Sequence, residues 1–252
     1  MKKVTVLIPC YNEERGVKEV IKGIPISKLK KLGYKTKIIV IDNNSSDNTR
    51  LFALKAGAKV IFEGNQGKGN AIITGFNCID KDTDIVVMID GDASYDPSEM
   101  LRLIEPLENK FCDVVIGSRL TGKIEKKSMP FFNRTGNWFF TVLTRITYCN
   151  NVTDVCTGYF AWNRKVIETL KKHLESDGFS IEMEMIAKMS KLNYSLYSVP
   201  ISYNRREGET KLMPVRDGIR ILHAWARNIL WSSNKKTYFT KKEPLFKFPS
   251  LE

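Results

Sequence analysis

Short, nearly unbroken apolar runs alternate with longer stretches in which apolar residues recur at helical spacing. The runs at 4–8, 37–41, 58–62, 84–89 and 113–116 are rich in Val and Ile. Such continuity predicts parallel strands covered on both faces. Between them, residues 13–22, 48–56, 69–78 and 97–108 read as helices. Asp96-Pro97 followed by Glu99 suits a helix start, with Asp as cap and Pro in the first turn. Regular alternation of strand and helix through Arg119 predicts an α/β fold with a doubly wound parallel sheet.

Beyond Arg119 the alternation is lost. Residues 120–136 are basic and loop-like, with Lys123, Lys126, Lys127 and Arg134. An amphipathic helix is predicted over 137–148, carrying Trp138, Phe139, Phe140, Val142 and Leu143. Residues 154–170 and 178–203 mix strand and helix pieces. A further helix is predicted over 213–231, with Ile219, Leu222, Trp225, Ala226, Ile229 and Leu230 on one stripe and Arg216, Arg220 and Arg227 on another face. The expected organisation is one domain over 1–212, then an amphipathic helix and basic tail over 213–252. No run approaches the about 18 apolar residues of a spanning helix. The run after Lys2-Lys3 ends at Pro9, too short for a signal peptide.

Composition narrows the partners. The formal net charge is +12, which calls for an anionic partner: nucleic acid, a phospholipid surface or a phosphorylated small molecule. Five cysteines without a C-x-x-C, and two histidines without ligand spacing, speak against a disulfide framework or a zinc site and for reduced thiols in the cytoplasm. A basic nucleic-acid-binding protein fits the charge, but no helix-turn-helix, zinc-finger or RRM signature is present.

Ligands of open α/β sheets bind at the carboxyl ends of the strands. There the chain places Pro9-Cys10-Tyr11-Asn12-Glu13-Glu14, Asp42-Asn43-Asn44-Ser45-Ser46-Asp47, Asp90-Gly91-Asp92 and Gly117-Ser118-Arg119. Turn chemistry explains one or two such polar loops; four on one edge point to a site. Asp90 and Asp92, delivered together from an apolar strand, repel one another unless a cation lies between them or one is protonated. Mg²⁺ or Mn²⁺, which bridge carboxylates to diphosphates, are the expected cofactors. Gly67-Lys68-Gly69 fits neither a P-loop nor a dinucleotide fingerprint, leaving a glycine-flanked lysine at a helix start or a plain turn.

Taken in order, 4–13, 41–49, Asn65-Gln66-Gly67-Lys68-Gly69 and Asp90-Gly91-Asp92 resemble the motifs of family 2 inverting glycosyltransferases of the GT-A fold. Gly117-Ser118-Arg119 and Asp154-Val155-Cys156-Thr157-Gly158 are similar to the branch of dolichyl- and polyprenyl-phosphate sugar synthases. The resemblance covers residues 3–212. It implies a Rossmann-like, mostly parallel sheet flanked by helices, and transfer of a hexose from a nucleotide sugar to dolichyl or another polyprenyl phosphate with inversion. By it, Pro9, Tyr11, Glu13 and Asp42 hold nucleobase and ribose, with Asn44 and Gly91 grouped beside them. Lys68 lies near the donor, and Asp90 and Asp92 bind metal and diphosphate. The mannose synthases carry Asp-Ala-Asp, so Asp90-Gly91-Asp92 is closer to relatives that use UDP-linked sugars than to those using GDP-mannose.

A polyprenyl phosphate is already ionised, so its transfer needs cations rather than a strong base. Arg119, Arg134, Arg205 and Lys211 are the candidate acceptor-phosphate and catalytic cations, alongside Asp92. The alternative is a soluble or glycan hydroxyl acceptor, which needs a carboxylate base; Asp154 and Glu182 are the nearest, and both are placed on the acceptor side. Glu182 and Glu184 also suit the acidic first turn of a helix. A lipid acceptor puts the protein peripherally on the cytoplasmic face of the membrane, held by 137–148, 219–231 and the tail lysines Lys235, Lys236, Lys241 and Lys242, or by a membrane-spanning partner subunit.

Overall fold

The structure, a computed structural model, describes residues 1–233; the tail lysines Lys235, Lys236, Lys241 and Lys242 lie outside the described residues. In chain order the elements are β1 (Lys2–Cys10), α1 (Val17–Gly23), α2 (Ile26–Lys31), β2 (Tyr34–Asp42), α3 (Thr49–Lys55), β3 (Lys59–Phe62), α4 (Lys68–Asn77) and β4 (Ile85–Met88). They continue with α5 (Met100–Glu108), β5 (Val114–Ile124), α6 (Phe131–Tyr148), β6 (Phe160–Asn163), α7 (Arg164–Leu170), α8 (Ile181–Lys191), β7 (Leu196–Tyr203) and α9 (Pro214–Leu230). Seven strands form one sheet in the order β3-β2-β1-β4-β6-β5-β7. All neighbours are parallel except β6, which runs antiparallel to both β4 and β5.

The five expected strands are all present: β4 and all but the start of β1 are buried on both faces, whereas β3 is the half-exposed strand at the edge of the sheet. One side of the sheet packs Val4, Val6, Ile8, Val87 and Val115 against α1 and α5. The other packs Leu7, Ile39, Ile41, Val86 and Met88 with Phe76, Trp162 and α8. Asp96 caps the 3₁₀ turn Pro97–Glu99 that leads into α5, accepting from Ser98 N–H at 2.8 Å.

One expectation changes. The stretch 120–136 is not loop throughout: β5 continues to Ile124 by pairing with β7 after a register shift between Ser118 and Lys123, and α6 begins at Phe131. Glu182 and Glu184 lie in the first turn of a helix, α8, which is the helical placement their acidity suits.

Two helices, α6 and α9, turn polar residues inward and apolar ones outward. In α6 the buried positions are the polar Asn137, Thr141 and Thr144 with Tyr148, while Phe131, Phe132, Trp138, Phe139 and Ile146 are exposed. The polar side is drawn inward by specific partners. Asn137 donates to Asp154 at 2.7 Å and accepts from Cys156 N–H, Thr141 accepts from Val155 N–H, and Tyr148 donates to the Trp225 carbonyl at 2.6 Å. In α9 the buried line is Asp217, Ile221, Ala224 and Asn228. Ile219, Leu222, Ile229 and Leu230 of its apolar stripe point outward instead. Burying one large apolar side chain is worth about 1.5–3 kcal/mol, so the exposed apolar residues of these two adjacent helices leave several kcal/mol unused.

Candidate active site

The sheet brings the ends of β1, β2 and β4 together at one edge, and the loop after β7 folds back over them. Asp90 and Asp92 follow β4. The Lys68 ammonium, at the start of α4, lies 2.8 Å from Asp90 Oδ1 and 3.0 Å from Oδ2, and 2.7 Å from Glu182 Oε1. Only the Oδ2 contact has hydrogen-bond geometry, so Asp90 Oδ1 is buried without a hydrogen bond. Burial alone would lower the Lys68 pKa, but the Asp90 and Glu182 carboxylates outweigh it and hold the ammonium above its usual range. Glu182 is itself raised, because its burial outweighs the pull of Lys68.

Asp92 is buried and accepts from Ser94 N–H at 3.0 Å, from the Ser94 hydroxyl and from the Arg206 guanidinium. Between the aspartates sits Gly91. A Cβ there would lie 2.4 Å from Cys10 Sγ, so packing against Cys10 by itself accounts for the glycine of Asp-Gly-Asp. On the far side, a Cβ at Gly158 would meet Asp90 Oδ2 at 2.1 Å. Gly158 thus makes room for the Asp90 carboxylate, and Gly91 for the Cys10 thiol.

The loop after β7 adds the remaining charges. Lys211 donates to Glu13 Oε1 at 2.9 Å and to the Asn12 carbonyl at 2.8 Å, while Glu207 N–H donates to the Asp92 carbonyl at 2.8 Å. Glu13 is raised to about 7, chiefly by burial and against the pull of Lys211, with Asp92 raising it further. Its Oε2 is buried without a hydrogen bond.

Beside this cluster, β1 and β2 build a polar cradle. Asp42 is buried, paired with Arg50 at 2.9 Å and accepting from Ser45 N–H at 3.2 Å. Asn43 donates to the Asn65 carbonyl and accepts from Gly67 N–H, both at 2.7 Å, tying β2 to the Lys68 loop. Pro9 is buried at the end of β1, and Tyr11 accepts from Gln66 Nε2 at 3.2 Å. Asn44 adopts φ +62° and donates to the Gly64 carbonyl at 3.4 Å. The left-handed region suits Asn better than most residues.

Several expected residues are placed differently. Arg119 and Asp154 meet each other: Nε lies 2.7 Å from Oδ2, Nη2 lies 2.8 Å from Oδ1, and the Arg119 N–H also donates to Oδ2 at 2.9 Å. Both are buried, and Nη2 further donates to the Cys156 carbonyl at 2.6 Å. Arg119 is thus a fixed internal partner rather than an open cation, because Asp154 occupies the fork that a phosphate would need. Arg134 and Arg205 are exposed, and among the described residues no contact joins their side chains to the Asp90 cluster. Arg206, adjacent to Arg205, is the arginine that reaches Asp92. Arg205 and Arg206 are consecutive, and which of the two turns inward depends on the loop path after Tyr203, for which the sequence carries no signal. Asn43 and Arg50 were equally hidden, as their roles are to hold neighbouring loops.

Two carboxylates of the kind a hard divalent cation takes stand together here, while among the described residues no group of three or more His, Cys, Asp or Glu side chains is clustered to hold a metal. Asp90 and Asp92 offer oxygen ligands only, Asp90 Oδ1 has a free hydrogen-bonding capacity, and the two carboxylates are held by Lys68 and Arg206 where a metal's charge would otherwise serve.

Comparison with known proteins agrees with this architecture. Residues 5–171 match the model of glycosyl transferase family 2, and the chain belongs to that family. It is 33% identical over 218 residues to a dolichyl-phosphate hexose transferase of Haloferax volcanii, covering 86% of this chain and 90% of the relative. It is 30% identical over 221 residues to a UDP-N-acetylglucosamine–dolichyl-phosphate N-acetylglucosaminyltransferase of Methanococcus voltae, covering 79% and 85%. Among solved structures, glucosyl-3-phosphoglycerate synthase of Mycobacterium tuberculosis in complex with Mn²⁺, UDP and glucosyl-3-phosphoglycerate superposes with a TM-score of 0.70 at 19% identity, covering 90% of this chain and 80% of that one. At that identity the likeness concerns the GT-A fold. Among the described residues, no helix is long and apolar enough to cross a membrane.

Proposed function

We propose that the chain transfers a hexose from a nucleotide sugar to a dolichyl-type polyprenyl phosphate with inversion, at a membrane surface, using Mg²⁺ or Mn²⁺. The observation that carries this is the state of the acceptor-side carboxylates. Asp154 is bound by Arg119, and Glu182 by Lys68 at 2.7 Å. A hydroxyl acceptor must lose a proton to a base, whereas a phosphate oxygen attacks without one. The names of the family relatives, dolichyl-phosphate hexose transferase among them, agree. We keep a UDP-sugar ahead of GDP-mannose as the donor, a choice that the relative named for UDP-N-acetylglucosamine supports and that the mannosyltransferases among the relatives oppose; the glycine at 91, explained by packing on Cys10, does not bear on it.

In this scheme the β1–β2 cradle of Pro9, Tyr11, Glu13, Asp42 and Asn44 holds the nucleoside. Lys68 and Arg206 face the diphosphate, with Asp90 and Asp92 holding the cation. The cation, when bound, offsets charge on the leaving diphosphate. The acceptor phosphate oxygen forms the new bond to the anomeric carbon as the bond to the diphosphate oxygen breaks, and the nucleoside diphosphate leaves. Arg134 and Arg205, exposed and basic, are the cations available to an incoming lipid phosphate. The outward aromatic face of α6, the outward stripe of α9, and the exposed Arg134, Arg145, Arg216 and Arg220 compose a surface suited to anionic headgroups.

One observation favours a second reading: the raised pKa of Glu182, which would suit a base for a hydroxyl acceptor. A panel of radiolabelled UDP- and GDP-sugars incubated with polyprenyl phosphate separates the two. A lipid-soluble product that mild acid cleaves supports the proposal. Transfer only to hydroxyl acceptors, abolished by Glu182→Gln, would overturn it. Vesicle co-sedimentation tests the surface: binding to anionic vesicles at low salt should weaken in the Trp138→Ser, Phe139→Ser double variant.

A further inference from the structure

Lys68 is seated by more than its two carboxylates. It lies between Gly67 and Gly69, and both glycines press on a loop from elsewhere in the chain. A Cβ at Gly67 would lie 2.3 Å from the Asp177 carbonyl oxygen, and one at Gly69 would lie 1.9 Å from that of Ser176. Gly67 has φ +140°, and the Asn70 N–H donates to the Asp177 carbonyl at 3.2 Å. The backbone of 176–177 is therefore the wall against which the Lys68 turn is built.

That wall is fastened from behind by one carboxylate. Glu184, fully buried in α8, accepts from the N–H groups of Glu175 at 3.2 Å and Ser176 at 2.7 Å, and from the Lys188 ammonium at 2.6 Å. Lys188 also donates to the His173 carbonyl, so the same ion pair holds the loop at two points. Arg227 of α9 closes the arrangement: its Nη2 lies 3.2 Å from Glu184 Oε1 and 3.4 Å from the Ser176 hydroxyl, and its Nη1 lies 3.4 Å from Glu175 Oε2. None of these groups contacts Asp90 or Asp92. A buried pair of this kind is more easily explained by what it orients than by net stability, because desolvation cancels much of its attraction.

We propose that Glu184 and Arg227 are positioning residues for the donor site: they fix the 175–177 loop, whose carbonyls set where Lys68 stands, and they make donor affinity depend on α9. This rests on Lys68 belonging to a nucleotide-diphosphate site, so the test separates the two ideas. Binding of UDP and of GDP, each with Mn²⁺, is measured by calorimetry for wild type, Arg227→Ala and Arg227→Lys, with amide hydrogen exchange on the same samples. Arg227 is partly exposed, and without it Glu184 keeps Lys188 and two backbone donors, so the fold is retained. Arg227→Ala should weaken binding of whichever nucleotide wild type takes on the order of fivefold, the scale of coupling through a packed network. Exchange should quicken at the amides of 67–71 while β1 and β2 stay protected, and Arg227→Lys should recover part of the affinity. If wild type binds and Arg227→Ala binds equally well, the positioning role is wrong and the donor site stands. Weakening accompanied by uniformly faster exchange through the core would also overturn it, as general destabilisation. Failure of wild type to bind either nucleotide would overturn the donor site and this inference together.

Discussion

Replacing Arg119 by Met separates two roles that the residue type alone allows. As an acceptor-phosphate ligand, Arg119 would leave the fold intact when removed. Its geometry gives the opposite expectation. Asp154 is fully buried and receives three hydrogen bonds from Arg119 and one from Asn137. Arg119→Met strips two of these and leaves the carboxylate with one backbone N–H and one amide. Removing one partner of a buried ion pair costs about 3–5 kcal/mol, because the remaining charge is uncompensated. For a domain of this size, each kcal/mol lowers Tm by about 2–4 °C. The expected fall is therefore roughly 6–20 °C in scanning calorimetry. Asp154→Asn, which keeps the shape but strands the guanidinium, should fall comparably. Activity should suffer too, since Arg119 also holds the Cys156 carbonyl next to the turn in which Gly158 packs on Asp90. An unchanged Tm in Arg119→Met, with only the acceptor KM raised, would refute the structural assignment and restore Arg119 as an acceptor ligand.

Further outcomes follow from the same contacts. Asp92→Asn should cut transfer by about 10²–10³, the scale of losing one preorganised electrostatic contact, and chelation should abolish wild-type activity until Mn²⁺ is restored; near-normal transfer by Asp92→Asn in chelator would dismiss the metal site. Arg134→Ala and Arg205→Ala, at exposed positions, should raise the acceptor KM several-fold with Tm unchanged, and an unaltered KM in both would exclude them as acceptor cations. Glu13 has its pKa raised from 4.5 to about 7, so the folded state binds its proton more tightly than the unfolded one. Its contribution to stability is full below about 4.5 and is lost as pH rises through about 7. Glu13→Gln should flatten that part of the Tm–pH curve and be relatively more stable at pH 8; an identical slope in both proteins would show that Glu13 is not the titrating group.

The parts of the fold legible in the sequence were those with a single physical signal. Strands such as 84–89 are enclosed on both faces, so hydrophobic continuity is sufficient to find them. The loops at their ends were legible because the sheet edge is where side chains leave the core. β6 and β7 were less clear: β6 is short and antiparallel within a parallel sheet, and its pairing depends on contacts far away in sequence. In α6 and α9 the periodicity located the helices, but not which side faces inward. That is decided by Asp154, Val155 and Trp225, which offer hydrogen bonds to the polar side of α6. The same limit explains Arg119. A strand-end arginine looks like an open cation until the chain 35 residues later brings a carboxylate to it.

The proposed cation would enter a cleft in which acidic groups outnumber basic ones. Asp90, Asp92, Glu13 and Glu182 face Lys68, Arg206 and Lys211 through the contacts described. Fully ionised, that is four negative groups against three positive, in surroundings where unpaired charge is costly. The strain is visible at Glu13, whose burial raises its pKa and whose neighbour Asp92 raises it further. Two relief routes exist: protonation of a carboxylate, or entry of a cation. A nucleoside diphosphate alone would add negative charge to a site already in deficit and would have to draw Lys68 and Arg206 away from their aspartates. A diphosphate accompanied by a divalent cation returns a partner to Asp90 and Asp92 as it takes those two side chains. Donor and metal are therefore expected to bind as a pair. Because Arg206 and Lys211 sit in the loop after β7, the loop that closes the site carries the charges exchanged in that step.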